Sequence, residues 1–189
     1  SHPEIEEFLD VRKPTGGDIN RKSTNLHHGV VISDQFMALI EGATREEGFN
    51  DSWDLIDPNS GRVVKTVSAK TLWVKLIQNR VETGEPYIMF GDTVQDALPE
   101  CQKEKGLKVN HSNLCSEITL ATDEDRTAVC CLSSVNLEEF DEWQHDPNFI
   151  PDLVAMLDNV LTYFIDNAPR ELWRASYSAM QERSIGLGA

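Results

Sequence analysis

The alternation of apolar and polar positions divides the chain into short helices and short strands. Ile5, Phe8 and Leu9 follow His2-Pro3-Glu4, which predicts an N-terminal helix with proline in its first turn and acids at the positive end of its dipole. Pro14-Thr15-Gly16-Gly17-Asp18 ends it. Leu26 to Ile32 reads as a strand, and Ser33-Asp34 then caps a helix carrying Phe36, Met37, Leu39 and Ile40. Trp53–Ile56, the turn Asp57-Pro58-Asn59-Ser60-Gly61 and Arg62–Lys65 predict a hairpin. Ser68 caps a further helix, in which Leu72, Trp73, Leu76, Ile77 and Val81 recur at helical spacing up to Thr83-Gly84.

Beyond it, Tyr87-Ile88-Met89-Phe90 reads as a buried strand, and Asp92 to Gly106 is mixed and polar. Asn110 to Leu120 is extended in character, Thr122 to Arg126 is a turn, and Thr127 to Leu132 is a second short β run. The clearest helix runs from Phe149 to Ile165, where Ile150, Leu153, Val154, Leu157, Val160, Leu161 and Phe164 fall on one face. Another follows Pro169, from about Arg170 to Glu182, and Ser184 to Ala189 reads as the opening of a strand. Helices alternating with short apolar strands give an α/β class.

Composition narrows the functional classes. The 189 residues include 17 Lys and Arg against 32 Asp and Glu, a formal net charge of −15. Such a surface repels phosphate backbones, so no nucleic-acid partner is expected. No apolar run approaches the ~20 residues that cross a bilayer, so no membrane partner is expected, and no signal peptide is evident. The four cysteines, at 101, 115, 130 and 131, have no spacing suited to disulfide staples, which points to a reducing, cytoplasmic compartment. Both ends look cut, and the expectation is a single partial domain over residues 1–189.

The stretch with chemical content is His111-Ser112-Asn113-Leu114-Cys115-Ser116-Glu117-Ile118. On an extended backbone, Asn113, Cys115 and Glu117 share one face in steps of about 7 Å, while Leu114 and Ile118 pack inward. An amide, a thiol and a carboxylate together form a chemical set. The same spacing also suits a strand with one small core cysteine and a solvated Asn and Glu. Cys130 and Cys131 point to opposite faces of a strand, so at most one of them joins Cys115; two small core residues explain them equally well. Zinc is not expected, because no Cys-x-x-Cys knuckle is present and only His111 lies near Cys115. His111 is also too far along a strand to serve Cys115 as a catalytic base.

Asn113-Leu114-Cys115-Ser116-Glu117-Ile118, followed by Cys130-Cys131-Leu132-Ser133-Ser134-Val135-Asn136-Leu137, resembles the large, catalytic subunit of aerobic, class I ribonucleotide reductase. Thr83-Gly84-Glu85-Pro86-Tyr87-Ile88 and Arg183-Ser184-Ile185-Gly186-Leu187-Gly188 extend the likeness over essentially the whole chain. The resemblance implies part of a ten-stranded α/β barrel with a central finger loop carrying the radical cysteine. By the same resemblance, Cys115 is the thiyl-radical residue that takes hydrogen from C3′ of a ribonucleotide. Glu117 accepts the 3′-hydroxyl proton, Asn113 hydrogen-bonds the substrate with Ser112 and Leu114 beside it, and Cys130 is one of two reducing thiols. Cys131 falls where relatives carry a non-catalytic residue, and Cys101 matches nothing functional.

The implied partners are a ribonucleoside diphosphate, the remaining parts of the large subunit, a small radical-generating di-metal subunit, and thioredoxin or glutaredoxin. No cofactor is expected within this segment, and the nucleotide effectors bind outside it. The second reducing cysteine should lie upstream, yet no cysteine precedes Cys101. The segment alone is therefore expected not to turn over and to expose unpaired strand edges. The alternatives are an incomplete fragment serving as a structural or assembly module, and a segment of the B12-dependent class. Survival of Asn113, Cys115, Glu117 and Cys130 together argues against decay, and Ser112-Asn113-Leu114-Cys115 favours class I.

Overall fold

The computed structural model describes residues 1–189, which separate into two compact units. One comprises Ser1–Leu98 with Asn113–Ser116; the other comprises Pro99–Ser112 with Glu117–Ala189. The boundary between the units cuts through the Asn113–Glu117 motif.

In the first unit, α1 (Ile5–Leu9) precedes β1 (Gly29–Ile32), α2 (Asp34–Arg45), the hairpin β2 (Ser52–Ile56) and β3 (Val63–Ser68), α3 (Ala69–Thr83), β4 (Tyr87–Phe90) and the short α4 (Gly91–Asp96). Strands β1 and β4 pair in parallel, with Gly29 opposite Tyr87 and Ile32 opposite Phe90. A parallel pair needs a long crossover, and α2, the hairpin and α3 supply it. The serine caps form as their sequence context predicts. Ser33 Oγ accepts from the Phe36 amide at 3.2 Å, and Ser68 Oγ accepts from the Thr71 amide at 3.0 Å. Ser68 in turn donates to Asp51 Oδ2 at 2.6 Å, and the same oxygen accepts from the Lys70 amide at 2.9 Å. The serine hydrogen bond, followed by that amide, holds the Asp51 carboxyl below the usual carboxylate range. Gly84 closes α3 at φ 80°, a conformation that costs a side-chain-bearing residue energy.

The core of this unit is Leu9, Ile32, Phe36, Ile40, Ala69, Leu72 and Leu76, flanked by Trp53 and Ile88. Val81, counted on the apolar face of α3, is instead 81% exposed, because it lies on the side of the helix opposite the buried Leu72, Leu76 and Asn79. Under α1, His28 is buried with both ring nitrogens unpartnered, its ring edge-on to Phe8 at 4.8 Å. Buried Glu85 hydrogen-bonds His27 Nδ1 at 2.7 Å.

The second unit holds α5 (Glu100–Lys103), β5 (Leu132–Ser134), α6 (Phe140–Trp143), α7 (Phe149–Asn167), α8 (Trp173–Glu182) and β6 (Gly186–Gly188). Helices α7 and α8 pack together and bury Leu157, Leu161, Ser178 and Ala179. Arg183 ends α8 at φ 46° and fastens it to α7. Its Nε donates to Asp158 Oδ1 at 2.9 Å, and its Nη2 donates to the Asp158 carbonyl and to Thr162 Oγ1, each at 2.9 Å. Strands β5 and β6 are parallel, Leu132 opposite Gly186 and Ser134 opposite Gly188.

The sheets are three two-stranded pairs, as in a partial α/β fragment with no closed barrel. Two expectations change. Asn110 to Leu120 contains no strand, because a turn with a left-handed residue interrupts it. The β run placed at Thr127 to Leu132 begins only at Leu132, since ladder partners exist only from Gly186 onward. No helix is long and apolar enough to cross a membrane.

Leu9, at 1% exposure, should be a large contributor to the first unit: Leu9→Ala is expected to cost about 2–5 kcal/mol in urea unfolding. Val81→Ala should stay within about 0.5 kcal/mol. Burial, aided by nearby Arg12, holds the His28 imidazole below its ordinary pKa, although Glu85 pulls the other way. The unfolded chain then binds a proton that the folded chain refuses. The His28 contribution is therefore present above the ordinary histidine value and lost as pH falls through the lower folded one. Urea midpoints measured across mildly acidic pH should fall with pH in the native chain and fall less in His28→Phe.

Candidate functional site

The Asn113–Ser116 segment is a β-turn closed by the Ser116 amide donating to the Asn113 carbonyl at 3.1 Å. Cys115 occupies its third position and is exposed, as is Leu114. Ser116 follows at φ 67°, the left-handed region. Period-two alternation therefore fails here: Asn113, Cys115 and Glu117 do not share a strand face, and Leu114 is 57% exposed rather than packed inward. Ile118 is half-buried, as expected.

The chain on either side of this turn closes on itself. Ser112 Oγ donates to the Ile118 carbonyl at 2.7 Å, Asn110 Nδ2 donates to the Thr122 carbonyl at 3.0 Å, and the Thr122 amide donates to the Lys108 carbonyl at 3.3 Å. These bonds turn residues 108–122 into a closed loop, and the Asn113–Ser116 turn is its tip. The loop leads into a second turn, where Asp123 and Arg126 exchange backbone bonds at 3.3 Å. Asp123 also accepts from the Asp125 amide at 2.8 Å and from Arg126 Nη1 at 2.8 Å. The Asp125 amide leads the causes that hold the Asp123 carboxyl below the usual range. Arg126 lies over the Tyr177 ring at 5.2 Å, which ties this turn to α8.

Within the second unit a cleft of about 510 Å³ is lined by residues 117–120, 129–132 and 183–186. Glu117, Cys130 and Cys131 are all on its wall. Cys130 is exposed; Cys131 is half-buried, with its Sγ 3.5 Å from the Leu157 carbonyl on α7. Of the residues singled out from sequence, Glu117 and Cys130 are thus brought into one cleft. Asn113, Leu114 and Cys115 belong to the turn in the other unit, and Ser112 supports the base of the loop. The cleft's third wall, Arg183 to Gly186, carries residues that the sequence marks as the start of a strand and as part of a likeness. Nothing in their spacing marks them as a wall, because that role arises from the β5–β6 pairing.

Comparison with known proteins adds what geometry alone does not. Residues 1–189 match the family model described as "Ribonucleotide reductase, barrel domain". A ribonucleoside-diphosphate reductase large subunit of Frog virus 3 (isolate Goorha) is 53% identical over 100% of this chain and 32% of its own length. That of Invertebrate iridescent virus 3 is 44% identical over 100% of this chain and 37% of its own length. That of Trypanosoma brucei brucei is 29% identical over 99% of this chain and 24% of its own length. The chain therefore spans between 24% and 37% of the length of these relatives.

The turn makes its own test. Ser116→Gly removes the left-handed penalty at the expense of unfolded-state entropy, so its unfolding free energy should stay within about 1 kcal/mol of the native chain. Ser116→Pro can neither adopt the positive φ nor donate to Asn113, and should lose more than about 1 kcal/mol in the same urea titration.

Proposed function

Because the chain belongs to the ribonucleotide reductase large-subunit family through its barrel domain, we propose that it is the catalytic-core segment of a ribonucleoside-diphosphate reductase. The three sheets are then parts of a ten-stranded barrel, and the Asn113–Ser116 turn is the tip of its finger loop. The observation that carries the reading is the cleft that holds Glu117 and Cys130 together. A carboxylate and an exposed thiol on one wall are what loss of a hydroxyl beside a proton-accepting position requires.

In this reading Cys115, as a thiyl radical, takes the hydrogen atom from C3′ of a ribonucleoside diphosphate. A thiol S–H bond is weak enough for that exchange to be nearly balanced. Glu117 in its ionised form accepts the 3′-hydroxyl proton, which raises electron density at C3′ and eases departure of the neighbouring 2′-hydroxyl as water. Asn113 orients the substrate without adding charge, flanked by Ser112 and Leu114. Cys130 and a second thiol from the remainder of the large subunit supply two electrons and become a disulfide, while Cys115 returns its hydrogen to C3′. The sum is ribonucleotide plus two thiols giving deoxyribonucleotide, water and a disulfide. An enclosed site keeps the radical from being quenched.

The same reading assigns the remaining partners. A small di-metal subunit supplies the radical, thioredoxin or glutaredoxin re-reduces the disulfide, and nucleotide effectors act outside this segment, in the cytoplasm. No resident cofactor is assigned to these residues.

The test uses the full large subunit with its radical-generating partner. Cys115→Ser should abolish deoxynucleotide formation while equilibrium dialysis shows nucleotide still bound; retained turnover would overturn the assignment. Glu117→Gln should lower kcat by about 10²–10⁴ with little change in KM.

A further inference from the structure

Ser112 stands beside Asn113 in the sequence, and a hydroxyl aimed at substrate is the simplest role for it. The geometry commits that hydroxyl elsewhere. Its single proton goes to the Ile118 carbonyl at 2.7 Å, across the loop whose tip is the Asn113–Ser116 turn. Ile118 directly follows Glu117, so the bond fixes the backbone next to the residue that carries the carboxylate. Glu117 is exposed on the cleft wall, and its placement is inherited from that backbone. The backbone needs holding. Ser116, immediately before Glu117, sits at φ 67°, a conformation that persists only where surrounding bonds impose it. At the base of the loop, Asn110 Nδ2 donates to the Thr122 carbonyl at 3.0 Å and to Thr122 Oγ1 at 3.3 Å, between the buried Val109 and Ala121. Ser112 therefore anchors the near end of the 117–122 arm, and Asn110 the far end.

We propose that Ser112 is a positioning residue for Glu117, supported by Asn110 at the base of the loop. The proposal rests on the reading of Glu117 as the group that accepts the 3′-hydroxyl proton. Proton transfer demands hydrogen-bond reach, and a carboxylate displaced by about 1 Å loses it. Releasing the arm therefore slows the chemical step and leaves nucleotide binding alone. A Ser112 hydroxyl that touched substrate would do the opposite, weakening binding when removed.

The test uses the full large subunit with its radical-generating partner. Ser112→Ala should lower kcat about tenfold, with the substrate Kd from equilibrium dialysis unchanged. Ser112→Thr keeps the hydroxyl and should return kcat to near the native value. Asn110→Asp sets an acceptor against the Thr122 carbonyl and should reproduce the Ser112→Ala pattern. In a Glu117→Gln background, Ser112→Ala should add less than about twofold, because the group it positions is gone. Native kcat in both Ser112→Ala and Asn110→Asp overturns the proposal. So does a weakened substrate Kd in Ser112→Ala, or the same loss of kcat with and without Glu117. Native kcat in Glu117→Gln is the separate outcome that removes Glu117 from its role, and this proposal with it.

Discussion

The second unit is organised by one short parallel ladder and the bond that extends it, the Gly186 amide donating to the Cys131 carbonyl at 2.9 Å. It brings residues 183–186 alongside residues 129–132, and the cleft holding Glu117 and Cys130 exists only because these segments lie together. Glycine at 186 leaves room for Leu132, whose exposed side chain would have to turn aside for a Cβ 2.4 Å from its Cδ2. Arg183 supplies the complementary restraint. Its three bonds to Asp158 and Thr162 stop the end of α8 from drifting off α7, so the strand that follows starts from a fixed point. Neither restraint is chemical in purpose, yet both decide where the chemical groups stand.

Much of the first unit was legible in the sequence because its signals are local. Ser33 and Ser68 announce helix starts by what their hydroxyls can accept, and the structure uses both. The hairpin follows from Asp57-Pro58-Asn59-Ser60-Gly61: Asp57 Oδ1 accepts from the Asn59 and Ser60 amides at 2.8 and 2.7 Å, and Gly61 turns at φ 67°. Helical periodicity likewise located α7, whose buried face includes Leu157 and Leu161. Val81 is the exception, and helical geometry explains it: the residue falls half a turn round α3 from the buried Leu72 and faces solvent.

The candidate site was less legible, for a physical reason. Residues 110–120 carry polar and apolar positions that mimic a strand, but a strand is defined by a partner, and none is supplied there. The loop instead satisfies its backbone internally, and a serine adopts a positive φ that composition does not advertise. The same applies to Cys130 and Cys131. They do face apart, Cys130 exposed and Cys131 with its sulfur on the Leu157 carbonyl, but the ladder that fixes which faces which way comes from residues far along the chain. Residue types marked the chemistry; only long-range pairing arranged it.

The parallel connections carry a kinetic consequence. Gly29 must find Tyr87, and Leu132 must find Gly186, so each ladder closes a long segment whose entropy is lost before any pairing energy returns. During synthesis the β2–β3 hairpin and helices α2 and α3 can form while the N-terminal strand waits for its mate. Residues 129–132 wait in the same way until residues 183–188 have left the ribosome. For that interval the Cys131 sulfur, half-buried against α7 once the unit is folded, stands unshielded on the nascent chain.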